Sequence, residues 1–182
     1  TSGYERARYR DFTAGLGGPI LRQRLWFYGA YQHLRDYDSQ PGADPAFPRQ
    51  YQQDKVFAKL TWKLTPSLQM MQSFHQEFWE NPDQATLSAP FETTLTRKAS
   101  VPSSTFANLT YTPSNRSVWD VRVGRFVLDE QDDPSSGDKN TPPRLDLITG
   151  ISSANAREWG LFRLDRITAK AVYTRYQSGW LG

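Results

Sequence analysis

Lys55-Val56-Phe57-Ala58-Lys59-Leu60-Thr61-Trp62-Lys63-Leu64 alternates from end to end, and Thr65-Pro66-Ser67 stops it. Val56, Ala58, Leu60, Trp62 and Leu64 form one set; Lys55, Phe57, Lys59, Thr61 and Lys63 form the other. Successive side chains of a strand point to opposite faces, so this stretch puts an apolar row on one side of a sheet and a cationic row on the other. Beyond the Pro-containing turn the pattern resumes. In Leu68–Trp79, Leu68, Met70, Phe74 and Phe78 share a face against Gln69, Ser73, His75 and Glu77, with Gln72 and Gln76 interrupting the apolar set. Two period-two runs around a short turn read as a hairpin.

The unit recurs. Thr105–Tyr111 and Val118–Leu128 flank Thr112-Pro113-Ser114-Asn115, and Trp119, Val121, Val123 and Val127 oppose Asp120, Arg122 and Gly124. Arg166–Tyr176, running toward Gly179 and Gly182, sets Ile167, Ala169, Ala171 and Tyr173 against Arg166, Thr168, Lys170 and Thr174. Upstream, Arg24–Asp36 reads as a strand whose Leu25-Trp26-Phe27-Tyr28 is too aromatic for its faces to be assigned, and Arg8–Gly17 as a weaker one. That makes roughly seven strands. The three long connections, Tyr37–Gln53, Glu80–Ser100 and Asp129–Ala156, are rich in Pro, Asp, Ser, Asn and Gln and carry no helical period. Short turns on one side and long loops on the other predict an all-β, antiparallel up-and-down section of a transmembrane β-barrel, with periplasmic turns and extracellular loops.

Composition points the same way. Hydrophobic residues make up only 37% of the 182 residues while aromatics reach 14%, a poor supply for a water-soluble core but enough for a wall with one apolar face. No run approaches the roughly 18 apolar residues of a membrane helix, whereas a tilted spanning strand needs only about 9–11 residues. The absence of cysteine removes disulfides, zinc knuckles and thiol chemistry. A net charge of +3 without a basic block interleaved with aromatics gives no sign of nucleic-acid binding. Thr1-Ser2-Gly3-Tyr4-Glu5-Arg6 is polar and has no signal-peptide character, and residues 1–182 are expected to be an internal piece of a longer chain.

Trp26, Trp62, Tyr111, Trp119 and Tyr173 all lie at the short-turn ends of their strands, where amphipathic rings mark a water–lipid boundary. Lys55, Lys59, Lys63, His75, Glu77, Arg122, Arg166 and Lys170 fall on the opposite, lumen-assigned positions. They read either as the hydrated lining of a wet barrel or as a basic wall toward a plug or an anionic solute. Enzyme chemistry finds no foothold. His33 and His75 stand outside metal-ligand spacing, no nucleophile elbow or phosphate loop occurs, and Gly15-Leu16-Gly17-Gly18 lacks the third glycine of a nucleotide loop. Asp129-Glu130-Gln131-Asp132-Asp133 has carboxylates enough for calcium but no EF-hand pattern, and reads as a solvated loop. No cofactor or metal site is expected.

Gly15-Leu16-Gly17-Gly18-Pro19-Ile20-Leu21-Arg22-Gln23-Arg24-Leu25-Trp26-Phe27-Tyr28-Gly29-Ala30-Tyr31-Gln32 resembles a signature of TonB-dependent outer-membrane receptors, most closely the Oar-like group. In that family a strand closes in a Gly-Gly-Pro-Ile turn and an aromatic strand follows. Asp54–Thr61 is similar to its third strand, and the Arg166–Tyr176 strand to a later one. The resemblance implies a barrel in the bacterial cell outer membrane, taking up a large scarce extracellular solute (oligosaccharide, peptide or metal chelate). It implies outer-membrane lipid, a plug domain outside this segment and an inner-membrane energy-transducing TonB complex as partners. The plug, the coupling box and an even strand number are missing, so the chain reads as barrel wall alone. A small passive barrel or adhesin is the first alternative. A soluble β-sandwich carbohydrate-binding module, with Phe47, Tyr51 and Phe91 as stacking platforms, is the second.

Overall fold

The computed structural model describes residues 3–43, 45–99 and 103–177. Thr1, Ser2, Ser100, Gly179 and Gly182, which figured in the expectations above, lie outside them. Seven long lines of strand form one antiparallel meander: β1 (Glu5–Leu21), β2 (Leu25–Ser39), β3 (Arg49–Thr65), β4 (Leu68–Pro82), then β5 (Leu95–Ala99) and β6 (Ser103–Ser114) end to end, β7 (Ser117–Pro134) and β10 (Gly160–Arg175). Both β5 and β6 lie between β4 and β7, so together they make one line of the sheet. A small hairpin, β8 (Arg144–Leu145) with β9 (Ser152–Ser153), stands in the last loop. The large sheet is open, with β1 and β10 as its edges.

Strands are longer and loops shorter than the sequence predicts. β3 starts at Arg49 and β7 runs to Pro134, so the loops shrink to residues 40–48, 83–94 and 135–159. Polar residues such as Gln50, Gln52, Asp129 and Asp132 sit in register with polar partners across the sheet, and main-chain pairing continues past the end of the apolar pattern. The acidic run therefore lies in β7. Alternation sends Asp129 and Asp133 to one face and Glu130 and Asp132 to the other, which disperses the carboxylates a calcium ion would need together.

The Gly17-Gly18-Pro19-Ile20 turn is also corrected. These residues belong to β1, and the chain reverses at Arg22-Gln23-Arg24, where Gln23 takes φ of 64°. The glycines serve contact, with no positive φ required of them. A Cβ on Gly15 would lie 2.9 Å from the Tyr28 hydroxyl, and one on Gly17 would lie 3.0 Å from the Tyr28 ring, so bare backbone makes the bed for that side chain. Pro19 is tolerated because β1 is an edge strand.

The hairpin bases form a staircase. Leu25, at the first base, is level with Trp62 and through it with Met70, two residues short of Leu68 at the second base. Leu68 is level with Tyr111 and Trp119, two residues short of Ser117 at the third. Each base is offset by two residues, or one residue per strand.

Among the described residues, nothing resembling a hydrophobic core sits against this sheet. The buried hydrophobic residues among those described are Ala43, Ala99 and Ala156, all small.

Candidate functional site

The sheet turns out two unlike faces, each fixed by register. On the first, Trp62 is level with Leu25, Met70, Leu109, Val121 and Ala171, and Leu60 with Phe27, Gln72, Ala107, Val123 and Ala169. Tyr111 faces Trp119, which faces Tyr173; the last two rings lie 4.6 Å apart between centroids. This apolar face is the more open to solvent: Leu60 is 42% exposed and Trp119 45%.

Four of the five turn-end aromatics share that face; Trp26 does not. With the turn at residues 22–24, β2 starts at Leu25, and alternation puts Leu25 and Phe27 on the apolar side. Trp26 and Tyr28 then stand opposite Thr61 and Lys59 on the other.

The second face carries all eight lumen-assigned residues. Lys55 faces Glu77, Lys59 faces Ser73, Lys63 faces Gln69, and Arg122 faces Lys170. Glu77 is a hub. His75 Nε2 lies 2.8 Å from its Oε1, Lys55 Nζ 3.7 Å from the same atom, and Gln53 Nε2 donates to its Oε2 at 3.1 Å. Arg122 bonds Asp120, and Arg166 lies over the Phe126 ring. Lys59, Lys63 and Lys170 have no ion-pair partner among the described residues, so the turn-side half of this face is cationic. On β3 its residues are the more sheltered ones, with positions 55, 57, 59 and 61 half-buried while 56, 58, 60 and 62 are exposed; Lys63, Arg122, Arg166 and Lys170 are exposed.

Toward the loops the apolar face ends in charge. Asp54 on β3 accepts from Tyr31 Oη, His33 Nδ1 at 2.8 Å and Arg35 at 2.9 Å. Sequence reading passed over this cluster. Its signal was present, since Asp54 is the first even position before Val56 at which the apolar set breaks. On β7 the first charge of this face, Arg125, is level with Thr105, Phe74 and Ala58, four residues nearer the turns than Asp54. The upper margin of the apolar band is thus slanted in the same sense as the staircase of turns.

Above the strands the loops build a separate layer. Ala43 bridges to Thr86, Gln84 Oε1 accepts from the Gln40 amide at 2.8 Å, and Gln84 Nε2 donates to Phe47 O at 3.1 Å. In the last loop Asn155 is fully buried, and its amide donates to the Asp138 and Thr141 carbonyls at 3.0 and 2.7 Å. Asp138 and Asp146 each cap a turn there. The first is held below the usual carboxylate range by Thr141 and Asn140, the second by the Ile148 and Thr149 amides.

No protein-family model matches the chain, and no curated protein or solved structure matches it either. These comparisons identify no family for the chain.

Proposed function

We propose that this chain is a section of the wall of an outer-membrane β-barrel, of the kind TonB-dependent transporters use for active uptake of a large solute. The observation that carries the reading is the inversion of exposure on the central strands β3, β4, β6 and β7: apolar side chains such as Leu60 and Trp119 stand on the open face, and Lys55, Lys59, His75 and Glu77 on the sheltered one. In water that arrangement leaves a sheet-wide apolar surface uncovered, far more than a soluble monomer usually tolerates. Against lipid it is the stable one, because the hydrocarbon takes the apolar face and the lumen stays wet.

Geometry adds support. One residue of offset per strand, at about 3.3 Å per residue and about 4.8 Å between strands, tilts the strands by about 35° from the normal to the plane of the turns. Barrel walls tilt by about 35–45°. Val56–Leu64, the apolar stretch of β3 between Asp54 and the turn, matches the roughly 9–11 residues that a tilted strand needs to span. The soluble-sandwich reading needs a second sheet over the apolar face, and the described residues supply only the two-stranded β8–β9 pair. In the transporter reading, the cationic lower half of the sheltered face lines the lumen toward a plug. The energy-transducing complex acts through that plug, and the loop layer faces the extracellular solute.

Two measurements test this. Single-tryptophan variants of the complete protein, folded into phosphatidylcholine vesicles with a lipid-attached quencher, should show Trp62 and Trp119 quenched and Trp26 spared. Equal quenching at all three, or a monomer soluble without detergent, would sink the wall. Reading the coding sequence on both sides tests the transporter: a plug upstream and further strand pairs downstream are expected, and a small closed reading frame would leave a passive barrel.

A further inference from the structure

We infer that the cleft between the first two loops is a binding site for a neutral saccharide. The cleft has a volume of about 830 Å³ and is lined by Phe47, Gln50, Gln52, Asp83, Leu87 and Phe91 among others. Within the loop layer these side chains are held ready for contact: Phe47 is 73% exposed, Leu87 96% and Phe91 58%. The frame beneath them is fixed by the Ala43–Thr86 bridge and by both ends of the Gln84 amide.

The polar groups decide the chemistry. Gln50 and Gln52 have no side-chain partner among the described residues, and each offers a donor and an acceptor. The nearest cation to the Asp83 carboxylate, Arg97, lies 3.9 Å away, too far to saturate it. The other charges of the cleft are already spent, Arg49 on Asp38 at 2.9 Å and Glu80 on Lys98 at 3.7 Å. What remains is planar hydrogen-bonding edges beside exposed rings with little net charge. A pyranose matches that, with hydroxyls around its edge and C–H groups on its face.

A peptide fits less well. Extended peptides gain affinity by adding a strand to an open sheet edge. Here β3 is paired on both sides, to β2 and β4, and β4 to β3 and β5, so the cleft floor offers no edge. Gln50 and Gln52 stand on the same face as Val56 and Leu60, which puts the cleft above the apolar band on the outside of the wall. That placement rests on the wall reading. It admits two sources of one chemistry, a free oligosaccharide or the glycan of a glycolipid in the outer leaflet.

The test uses the complete protein in detergent micelles on an array of neutral glycans, followed by titration of the best binder. Binding to a neutral glycan is expected, with Phe47→Ala and Phe91→Ala each weakening it at least tenfold and Gln52→Ala several-fold. Gln50→Ala, on the exposed rim, serves as the variant least able to disturb folding. Vesicles of phosphatidylcholine with and without lipopolysaccharide separate the sources: a preference for lipopolysaccharide that Phe47→Ala abolishes assigns the glycolipid, and no preference with array binding intact assigns the free sugar. Array silence together with no lipopolysaccharide preference overturns the proposal. So does binding untouched by all four substitutions, or selective binding of uncharged peptides instead. Insertion into plain vesicles is read separately. A chain that inserts but ignores glycans loses only the cleft, and one that binds glycans without inserting loses only the wall.

Discussion

Leu60 and Lys59 are neighbours in the chain and belong to opposite worlds. Leu60 stands on an open apolar face, level with Phe27, Ala107 and Val123; Lys59 stands on a sheltered face beside Tyr28 and Ser73, without an ionic partner among the described residues. In a soluble sheet the sheltered side is apolar and the open side charged. In the wall reading, the reversal on these central strands reflects a different solvent on each side of the sheet. The environment is legible from the pairing of exposure with polarity more than from polarity alone.

The largest test exchanges the faces. Leu60→Arg should cost roughly 2–4 kcal/mol of stability in vesicles, the cost of a cation at lipid midplane, while Lys59→Leu should change it by less than about 0.5 kcal/mol. Urea titration of both in phosphatidylcholine reads the difference, and equal effects would abolish the distinction between the faces. Next comes the loop layer, which owes nothing to lipid. Asn155→Ala removes two buried amide-to-carbonyl bonds and should loosen residues 138–156 by about 1–3 kcal/mol, seen as faster amide exchange there with the strands unchanged.

Smaller still is the aromatic row. A double-mutant cycle on Trp119 and Tyr173 should give a coupling of about 0.5–1.5 kcal/mol. The smallest static effect belongs to Arg125 and Asp165, an exposed pair whose Nε and NH2 reach the two carboxylate oxygens at 3.0 and 2.6 Å. In detergent its cycle should return about 0.2–1 kcal/mol, shrinking as salt is added. A salt-independent value would mean that lipid covers it.

Acid should separate the layers as well. Asp138 and Asp146 have carboxyls depressed by turn hydrogen bonds, so they bind fewer protons folded than unfolded. Their contribution is complete above the ordinary carboxylate range and is lost as pH falls through their lowered values. Amide protection at Asn140, Thr141, Ile148 and Thr149, taken relative to the intrinsic exchange rate at each pH, should fall on acidification before that of the strands.

The strands were legible because alternation reports pairing wherever one face differs from the other, as at Val56–Leu64. It failed where both faces are polar. Gln50–Asp54 and Asp129–Pro134 pair as firmly as the rest but carry no contrast to read. The turn at Arg22-Gln23-Arg24 was misplaced because glycine and proline are turn residues by habit, and here they served side-chain clearance and an edge. Leu25-Trp26-Phe27-Tyr28 could not be given faces because it is apolar and aromatic throughout, and only the turn at Arg22-Gln23-Arg24 fixes where its alternation starts. Two rings of the loop cleft, Phe47 and Phe91, were singled out from sequence, but their meeting in one cleft was not, and Tyr51 does not line it. Phe47 and Phe91 are distant in sequence, and the Gln84 amide and the Ala43–Thr86 bridge join their loops.

The two edges of the sheet are not equally sticky. β1 carries Pro19, which lacks a donor and so discourages a stray strand from joining there. β10 has no proline along its length and is rich in β-branched and aromatic residues such as Ile167, Val172 and Tyr173. A lone copy of this chain would therefore self-associate from the β10 side, and any controlled extension of the sheet would be templated there.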